Sequence, residues 1–270
     1  MLLVTLATLF TLTNSFGRVE ADTLGAQIVS YVPTGEKEVL FRAAHRPDAP
    51  QWRHGGIPIC WPWFGMHGEP GSIPHGFART NNWDVVSCEN GPEESYASLR
   101  LELADRYRLD LHIVLSECLS LQFVMKNLGK ESFPVTTGFH PYFSVSHPTN
   151  VTIFTEAGRI DCRGGMDGAR SVGEGRYLLQ DRGCGRSITL FSRGNTKLIV
   201  WNVGPEGITL PGLAADDWKR YVCVEPAVVP RGEGFYLHPQ EERLLALSVS
   251  VGRIERKENM VLMLGPTLNN

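Results

Sequence analysis

Apolar and polar residues alternate over most of this chain, and the alternation predicts β-strands. In residues 107–115, Leu109 and Leu111 alternate with Asp110 and His112. Side chains on a strand point alternately to its two faces, so we expect the leucines in a core and His112 on the solvent-facing side. The pattern therefore predicts a sheet with one apolar face.

Similar apolar or alternating runs recur along the whole chain, separated by glycine, proline or polar turns. They predict strands at residues 18–22, 23–31, 38–41, 83–88, 96–103, 119–127, 133–145, 151–155, 176–179, 187–191, 197–203, 220–224 and 244–251. A helical pattern is confined to residues 213–220. Many short strands with very little helix predict an all-β, antiparallel sandwich or barrel. Residues 254–270 follow neither pattern, and we assign them no element.

The N-terminal segment, residues 1–14, allows two interpretations. Its apolar side chains alternate with threonine and alanine, which favours a first strand. Its apolar run also has about the length of a secretory signal, but no basic residue precedes it. We expect a first strand and keep a signal segment as the alternative.

The length and the net charge predict how many domains the chain has and what kind of partner it binds. The 270 residues contain no linker-like stretch, which predicts a single domain spanning 1–270. The net charge is −3 and no basic block stands out, so we expect no nucleic acid and no membrane as partner. A small molecule is the expected partner, bound by a monomer.

The cysteines and histidines do not show the spacing of a metal site. Six cysteines are scattered singly, without a C-x-x-C pair, and the histidines form no H-x-x-x-H or H-x-H pair. We therefore expect reduced, mostly buried thiols, a cytoplasmic protein, and neither metal nor cofactor.

The stretch from 54 to 83 is the most unusual part of the sequence. It combines glycines and prolines with aromatic residues, among them Trp61, Trp63 and Phe77. Glycine permits tight turns and close backbone approach, proline stiffens the chain, and aromatic faces suit the apolar face of a sugar. This composition predicts a preorganised pocket wall.

Five short motifs carry a resemblance to a known family. They are GGIPICWPWFG, PHGFART, TTGFHPYFSV around His140, LIVWN, and YVCVEPA around Glu225. With these motifs in this order, the chain resembles the aldose 1-epimerase superfamily, and within it the glucose-6-phosphate 1-epimerase branch. The resemblance implies a β-supersandwich, no metal or cofactor, and interconversion of the α and β anomers of a hexose, expected to be a hexose 6-phosphate.

The resemblance also implies the catalytic residues. Glu225 matches the base that takes the proton of the C1 hydroxyl, His140 the acid that protonates the ring oxygen, and His75 a second histidine near that oxygen. The local sequence agrees, because Cys223 and Glu225 share a strand face after an apolar run. We expect Glu225 at a partly desolvated strand end with a raised pKa, and His140 titrating near neutrality.

The substrate-binding residues implied by the resemblance include one departure from the family pattern. Arg79 matches an arginine directed at the 6-phosphate. The family usually has another arginine directly before GGIP, but His54 stands there and Arg53 lies one residue earlier. Either Arg53 turns into the pocket, or protonated His54 binds phosphate as the pH falls toward about 6.5.

Three further residues are expected to contact the sugar. Trp61 and Phe77 would supply aromatic faces, with one of Trp61, Trp63 and Trp201 expected to reach the substrate. Glu174 stands near the position of a family aspartate that binds a hydroxyl. Two alternatives remain open: an epimerase of unphosphorylated aldoses, and a non-catalytic carbohydrate-binding homologue on the same fold.

Overall fold

The computed structural model describes residues 8–43, 53–66, 72–103, 106–170, 172–207, 210–229 and 234–254. Residues 1–7 of the predicted N-terminal strand and residues 255–270 of the tail lie outside this part. The strands within it are β1 (Leu9–Asn14), β2 (Gly17–Asp22), β3 (Gln27–Pro33), β4 (Ile59–Cys60), β5 (Asp84–Asn90), β6 (Ser95–Leu103), β7 (Tyr107–Leu115), β8 (Leu119–Asn127), β9 (Phe133–Val135), β10 (Thr137–Phe139), β11 (Tyr142–Ser144), β12 (Val151–Thr155), β13 (Gly158–Asp161), β14 (Met166–Arg170), β15 (Gly175–Asp181), β16 (Arg186–Arg193), β17 (Lys197–Asn202), β18 (Tyr221–Val228), β19 (Phe235–Leu237) and β20 (Glu242–Arg253). Short 3₁₀ helices lie at Ala78–Thr80, Pro148–Asn150, Pro205–Gly207 and Asp217–Arg220.

The all-β prediction is confirmed, and most differences concern strand ends. The strands at 107–115, 119–127 and 151–155 have their predicted limits. The helix predicted at 213–220 is wrong, because only Asp217–Arg220 forms a 3₁₀ turn. Polar strands such as β13 and β14 were not predicted, since they lack an apolar alternation. No helix in the described ranges has the length and apolar character needed to cross a membrane.

Two large antiparallel sheets dominate the part of the chain that the structure describes. One has nine strands in the order β13-β12-β15-β16-β20-β8-β7-β6-β5. The other has six, in the order β14-β17-β18-β10-β4, with β11 also pairing with β18. The strands β1, β2 and β3 form a third sheet, and β19 pairs with β9.

The main core lies between the two large sheets. Leu111 and Phe123 of the nine-stranded sheet join one buried cluster with Val222 and Val224 of β18. The two sheets also meet where Phe123 of β8 packs on Phe139 of β10, with ring centroids 6.4 Å apart. Burying this apolar area is the dominant stabilising term of the sandwich.

Strand β18 is buried on both faces. Its even-numbered residues, such as Val222 and Val224, point into the main core, so its odd-numbered residues point to the outer face of the six-stranded sheet. There Tyr221 and Cys223 join a second apolar cluster. Glu225 lies between these residues and Ala227 on the same face, and all of β18 is buried.

The cysteines match the prediction only in part. All six are free. Cys60, Cys162 and Cys223 are buried, whereas Cys88 and Cys184 are exposed. His112, expected to face solvent, is half-buried, and its Nδ1 lies 3.0 Å from the hydroxyl of Tyr96.

The glycine-rich stretch folds back on itself where Gly76 passes beneath Trp61. Gly76 has a φ of +75°, and a Cβ added there would collide with the carbonyl oxygen of Trp61 and the nitrogen of Pro62. Backbone therefore touches backbone at this point, and glycine is the one residue that fits. The same turn carries His75, whose own φ is +65°.

We predict that Gly76→Ala destabilises the protein strongly. A left-handed conformation costs a non-glycine residue about 1–3 kcal/mol, and overpacking adds about 1–3 kcal/mol. Urea denaturation should show a loss of at least about 2 kcal/mol in the free energy of unfolding. The control is Gly35→Ala, whose φ is +78° but whose added Cβ meets nothing within 4 Å. Equal losses in the two variants would contradict the predicted collision.

Candidate active site

The site is built at the short gap between β10 and β11, two strands that pair one after the other with β18. Strand β10 pairs with β18 up to Gly138 and Ala227, and β11 resumes at Tyr142 and Cys223. Pro141 faces Val224 in the same register, and the backbone N–H of Val224 donates to the carbonyl oxygen of Pro141 at 3.4 Å. The register is therefore continuous across the gap and places residue 140 opposite Glu225.

His140 occupies this gap. Its backbone N–H donates to the carbonyl of Pro58 at 3.0 Å, which fixes the segment against the glycine-rich stretch. Its Nε2 lies 3.5 Å from Oε2 of Glu225. Sequence reasoning placed both residues in the site, and the structure brings them together.

The pair is almost completely withdrawn from solvent. His140 is 6% exposed and Glu225 is 1% exposed. Glu225 lies in the interior of β18 and not at its end, which corrects the predicted position. Its Oε1 and the Nδ1 of His140 have no hydrogen-bond partner. A buried polar atom without a partner is costly, which points to a functional role for this pair.

Burial shifts both pKa values toward neutral side chains. The pKa of Glu225 is raised well above its usual value by burial and, secondarily, by the negative charge of Asp167, as predicted. The pKa of His140 is lowered well below 6.5, chiefly by burial and further by His75 and Arg79. The expectation that His140 titrates near neutrality is therefore corrected. Burial therefore favours the protonated carboxyl of Glu225 and the neutral imidazole of His140.

Aromatic rings hold the imidazole of His140 in place. Tyr142 stacks on it with ring centroids 4.7 Å apart and an interplanar angle of 10°. Phe64 is also nearly parallel to it at 6.1 Å, and Trp201 meets it edge-on at 5.9 Å. Phe64 fits here because Gly138 has no side chain, and a Cβ there would lie 2.7 Å from the Phe64 ring.

His75 lies beside His140, with ring centroids 5.0 Å apart. Its Nδ1 accepts a hydrogen bond from the backbone N–H of Gly65 at 3.1 Å. Burial, and then the charge of Arg79, lowers its pKa to about 3. The ring is therefore neutral, and because Nδ1 accepts, Nε2 carries the proton and is the donor. His75 can offer a hydrogen bond to an oxygen, but it is a poor acid.

Arg79 is the cation of this site. Its charge contributes, after burial, to the lowered pKa values of His54, His75 and His140. Its Nη2 donates to the carbonyl oxygen of Arg53 at 3.1 Å. No carboxylate in the described ranges pairs with it. The guanidinium therefore keeps donors for an anion.

Arg53 and His54, the two residues predicted to replace the second arginine, both have other partners in the structure. Nη2 of Arg53 forms an ion pair with Oδ2 of Asp22 at 2.7 Å. Both ring nitrogens of His54 have partners at 3.1 Å, the hydroxyl of Tyr142 and the carbonyl oxygen of Pro211. Burial, and then the charge of Arg79, lowers the pKa of His54 to about 4. His54 is thus neutral at pH 6.5, and the hypothesis of phosphate binding by its protonated form is corrected.

Three of the expected substrate contacts are not brought to the pair. Trp61 is fully buried in the core, and Phe77 packs on it edge-to-face at 5.3 Å. Glu174 is exposed, and its Oε2 accepts from the backbone of Gly194 at 3.0 Å. The full burial of Trp61 corrects its assignment, whereas sugar contacts of Phe77 and Glu174 stay predictions. Of the three tryptophans, Trp201 lies against His140.

Sequence reasoning missed two residues beside the pair. Asp167 of β14 is exposed, lies opposite Trp201 in the strand register, and is close enough to raise the pKa of Glu225. Cys223 of β18 belongs to the same cluster of side chains as His140 and Glu225. The pairing of β14 with β17 would have identified Asp167. The strand β14 was not predicted, because its sequence is polar and lacks an apolar alternation.

The comparisons with known proteins identify the family. Residues 8–157 match the family model described as Aldose 1-epimerase. The match covers more than half of the chain, and the chain therefore belongs to the aldose 1-epimerase family. It is an isomerase that acts on a small sugar.

Individual relatives are more distant. A Salmonella typhimurium protein named "Putative glucose-6-phosphate 1-epimerase" is 26% identical over 224 residues, covering 74% of this chain and 76% of its own. A Cenchrus ciliaris protein of the same name is 26% identical over 260 residues, covering 81% and 76%. The solved structure of a "putative mutarotase (YeaD)" from Salmonella typhimurium has a TM-score of 0.83 at 21% identity, covering 92% of this chain and 91% of that one. This last likeness establishes the mutarotase-like β-supersandwich fold.

We predict that Glu225→Gln stabilises the protein at alkaline pH. A carboxyl whose pKa is raised in the folded state stabilises fully below its unfolded pKa, and that contribution is lost as the pH rises through the folded pKa. Glutamine does not titrate. The gain in unfolding free energy should therefore grow between about pH 5 and pH 8, by up to about 1.4 kcal/mol per pH unit. If the unfolding free energies of Glu225→Gln and the wild type differed by the same amount at pH 5 and pH 8, the burial of an ionisable Glu225 would be contradicted.

Proposed function

We propose that this aldose 1-epimerase is a mutarotase of hexose 6-phosphates and that Glu225 and His140 carry the chemistry. The supporting observation is the 3.5 Å approach of His140 Nε2 to Glu225 Oε2 in a nearly dry site. Anomer exchange requires one group to take the C1 hydroxyl proton while another protonates the ring oxygen. A pair that shares one proton can do both.

In the proposed cycle the pair keeps its single proton throughout. The C1 hydroxyl donates to the carboxylate of Glu225, and the ring oxygen accepts from Nε2 of His140. Both hydrogen bonds favour a protonated His140 beside an ionised Glu225. Glu225 then takes the C1 proton as His140 gives its own to the ring oxygen, and the C1–ring oxygen bond breaks to leave the aldehyde. Rotation about C1–C2 and reversal of the proton transfers give the other anomer.

The neighbouring residues orient the sugar. The protonated Nε2 of His75 donates to an oxygen beside the anomeric carbon. The edge-on indole of Trp201, near His140, suits an apolar sugar face. The carboxylate of Asp167 accepts from a sugar hydroxyl, in the role that the sequence had suggested for Glu174.

The phosphate assignment depends on Arg79. A guanidinium offers paired donors that match phosphate oxygens. The lack of a carboxylate partner for Arg79 in the described residues, and the name shared by two relatives, support a 6-phosphate substrate. The ion-paired Arg53 and the neutral His54 favour a weak preference, so unphosphorylated aldoses are the second candidate.

The free cysteines support a reducing compartment. Cys88 and Cys184 are exposed and unpaired. Exposed thiols persist in the reducing conditions of a cytoplasm, and we infer that the enzyme works there.

The catalytic assignment is tested by Glu225→Gln and His140→Asn. Glutamine keeps the shape of glutamate but cannot accept the C1 proton, and asparagine can hydrogen-bond the ring oxygen but cannot protonate it. Each should lower kcat by about 10²–10⁴-fold, measured by polarimetry on freshly dissolved α-glucose 6-phosphate. A variant of His75, which orients the ring, should retain more kcat than His140→Asn. If the order were reversed, the roles of the two histidines would be exchanged.

The phosphate assignment is tested by Arg79→Ala. A charge-assisted pair contributes about 1.5–3 kcal/mol, so KM for glucose 6-phosphate should rise roughly ten- to a hundredfold while KM for glucose barely changes. Arg53→Ala is the matched control and should leave the phosphate preference intact, because Arg53 already pairs with Asp22. Equal kcat/KM for both sugars in the wild type, unaffected by Arg79→Ala, would show that the pocket takes unphosphorylated sugars.

A further inference from the structure

Cys223 is a buried thiol that the proposed cycle does not use. It lies two residues before Glu225 on the same face of β18 and is fully buried. One donor atom from each of Cys223, Glu225 and His140 lies within 4.8 Å of the other two. Sequence spacing gave no hint of this cluster, because His140 comes from the gap between β10 and β11.

The three atoms form a donor set typical of Zn²⁺. Zinc favours imidazole, thiolate and carboxylate ligands, and sites with three protein ligands keep a fourth position open. A tetrahedral ion with bonds of about 2.0–2.3 Å separates its ligand atoms by roughly 3.3–3.6 Å. His140 Nε2 and Glu225 Oε2 are already 3.5 Å apart. The cluster would have to contract by only about one ångström to hold the ion.

Charge and hydrogen bonding also suit a cation here. Oε1 of Glu225 is buried without a hydrogen-bond partner. A thiolate and a carboxylate balance the two charges of the ion, so no net charge is left in the dry site. Binding would release the thiol proton of Cys223 and the proton shared by the pair to solvent, and would tighten as the pH rises.

From this geometry we propose that His140, Cys223 and Glu225 form an inhibitory site for Zn²⁺ and similar thiolate-binding divalent metals. The ion occupies the position of the C1 hydroxyl and ring oxygen, so it competes with the sugar. Its inhibitory effect rests on the proposed function, whereas its binding does not. Mg²⁺ and Ca²⁺, which prefer oxygen ligands, should not bind.

Two measurements on the full chain test this proposal. In a Cys88→Ser/Cys184→Ser background, which removes the two exposed thiols, titration with Cd²⁺ should produce a thiolate-to-metal charge-transfer band in the ultraviolet that Cys223→Ser abolishes. In the mutarotase assay, Zn²⁺ should raise KM without lowering kcat, EDTA should reverse the effect, and Mg²⁺ should have none. Cys223→Ser should keep its basal kcat but weaken Zn²⁺ inhibition by at least roughly tenfold, since even outer partners of metal ligands contribute that much.

The matched control is Cys60→Ser. Cys60 is also fully buried, and the charge of Glu225 contributes to its raised pKa, but it lies outside the donor cluster. Its variant should keep both the Cd²⁺ band and the Zn²⁺ inhibition. A band independent of Cys223, or activity insensitive to Zn²⁺, would overturn the proposal. A Cys223-dependent band in a protein without mutarotase activity would support the metal site and reject the proposed function.

Discussion

The burial of the Glu225 carboxyl beside the imidazole of His140 is the constraint on which this site depends. A carboxyl that is 1% exposed, beside an imidazole that is 6% exposed, cannot keep separate charges in the way that two surface residues do. The register with β18 places the imidazole opposite Glu225, and the stacked rings of Tyr142 and Phe64 hold it there. The fold thus holds the imidazole of His140 and the carboxyl of Glu225 together at a position that apolar side chains would fill in an ordinary core.

The surrounding charges set what the site can bind. Burial, with a further contribution from the charge of Arg79, lowers the pKa values of His54, His75 and His140, and the guanidinium of Arg79 supplies positive charge beside them. The pairing of Arg53 with Asp22 removes the other candidate. Under the proposed function, one arginine and neutral donors would recognise the phosphate. This arrangement explains why phosphate preference would be weaker than in a pocket with two arginines.

Sequence could predict the strands whose own pattern of apolar and polar residues shows which side chains are buried. The alternation of residues 107–115 gave β7 its correct limits, and the apolar run before Glu225 indicated a buried strand. The side chain that Arg53 contacts could not be predicted, because Asp22 lies 31 residues away in sequence. Trp61 and Trp201 are equally aromatic in sequence, yet the sandwich buries the first and places the second beside His140. Cys223 looked like a core residue because His140, which completes its cluster, comes from a distant segment between β10 and β11.

The most direct test of this account is the pH dependence of kcat for mutarotation of saturating α-glucose 6-phosphate. A lowered His140 pKa means that the pair gains a second proton only in acid, and a raised Glu225 pKa means that it loses its proton only in alkali. After correction for the spontaneous reaction, kcat should stay constant between about pH 6 and pH 8. A kcat that changes through a single titration near pH 6.5, the value of free histidine, would contradict a shared buried proton.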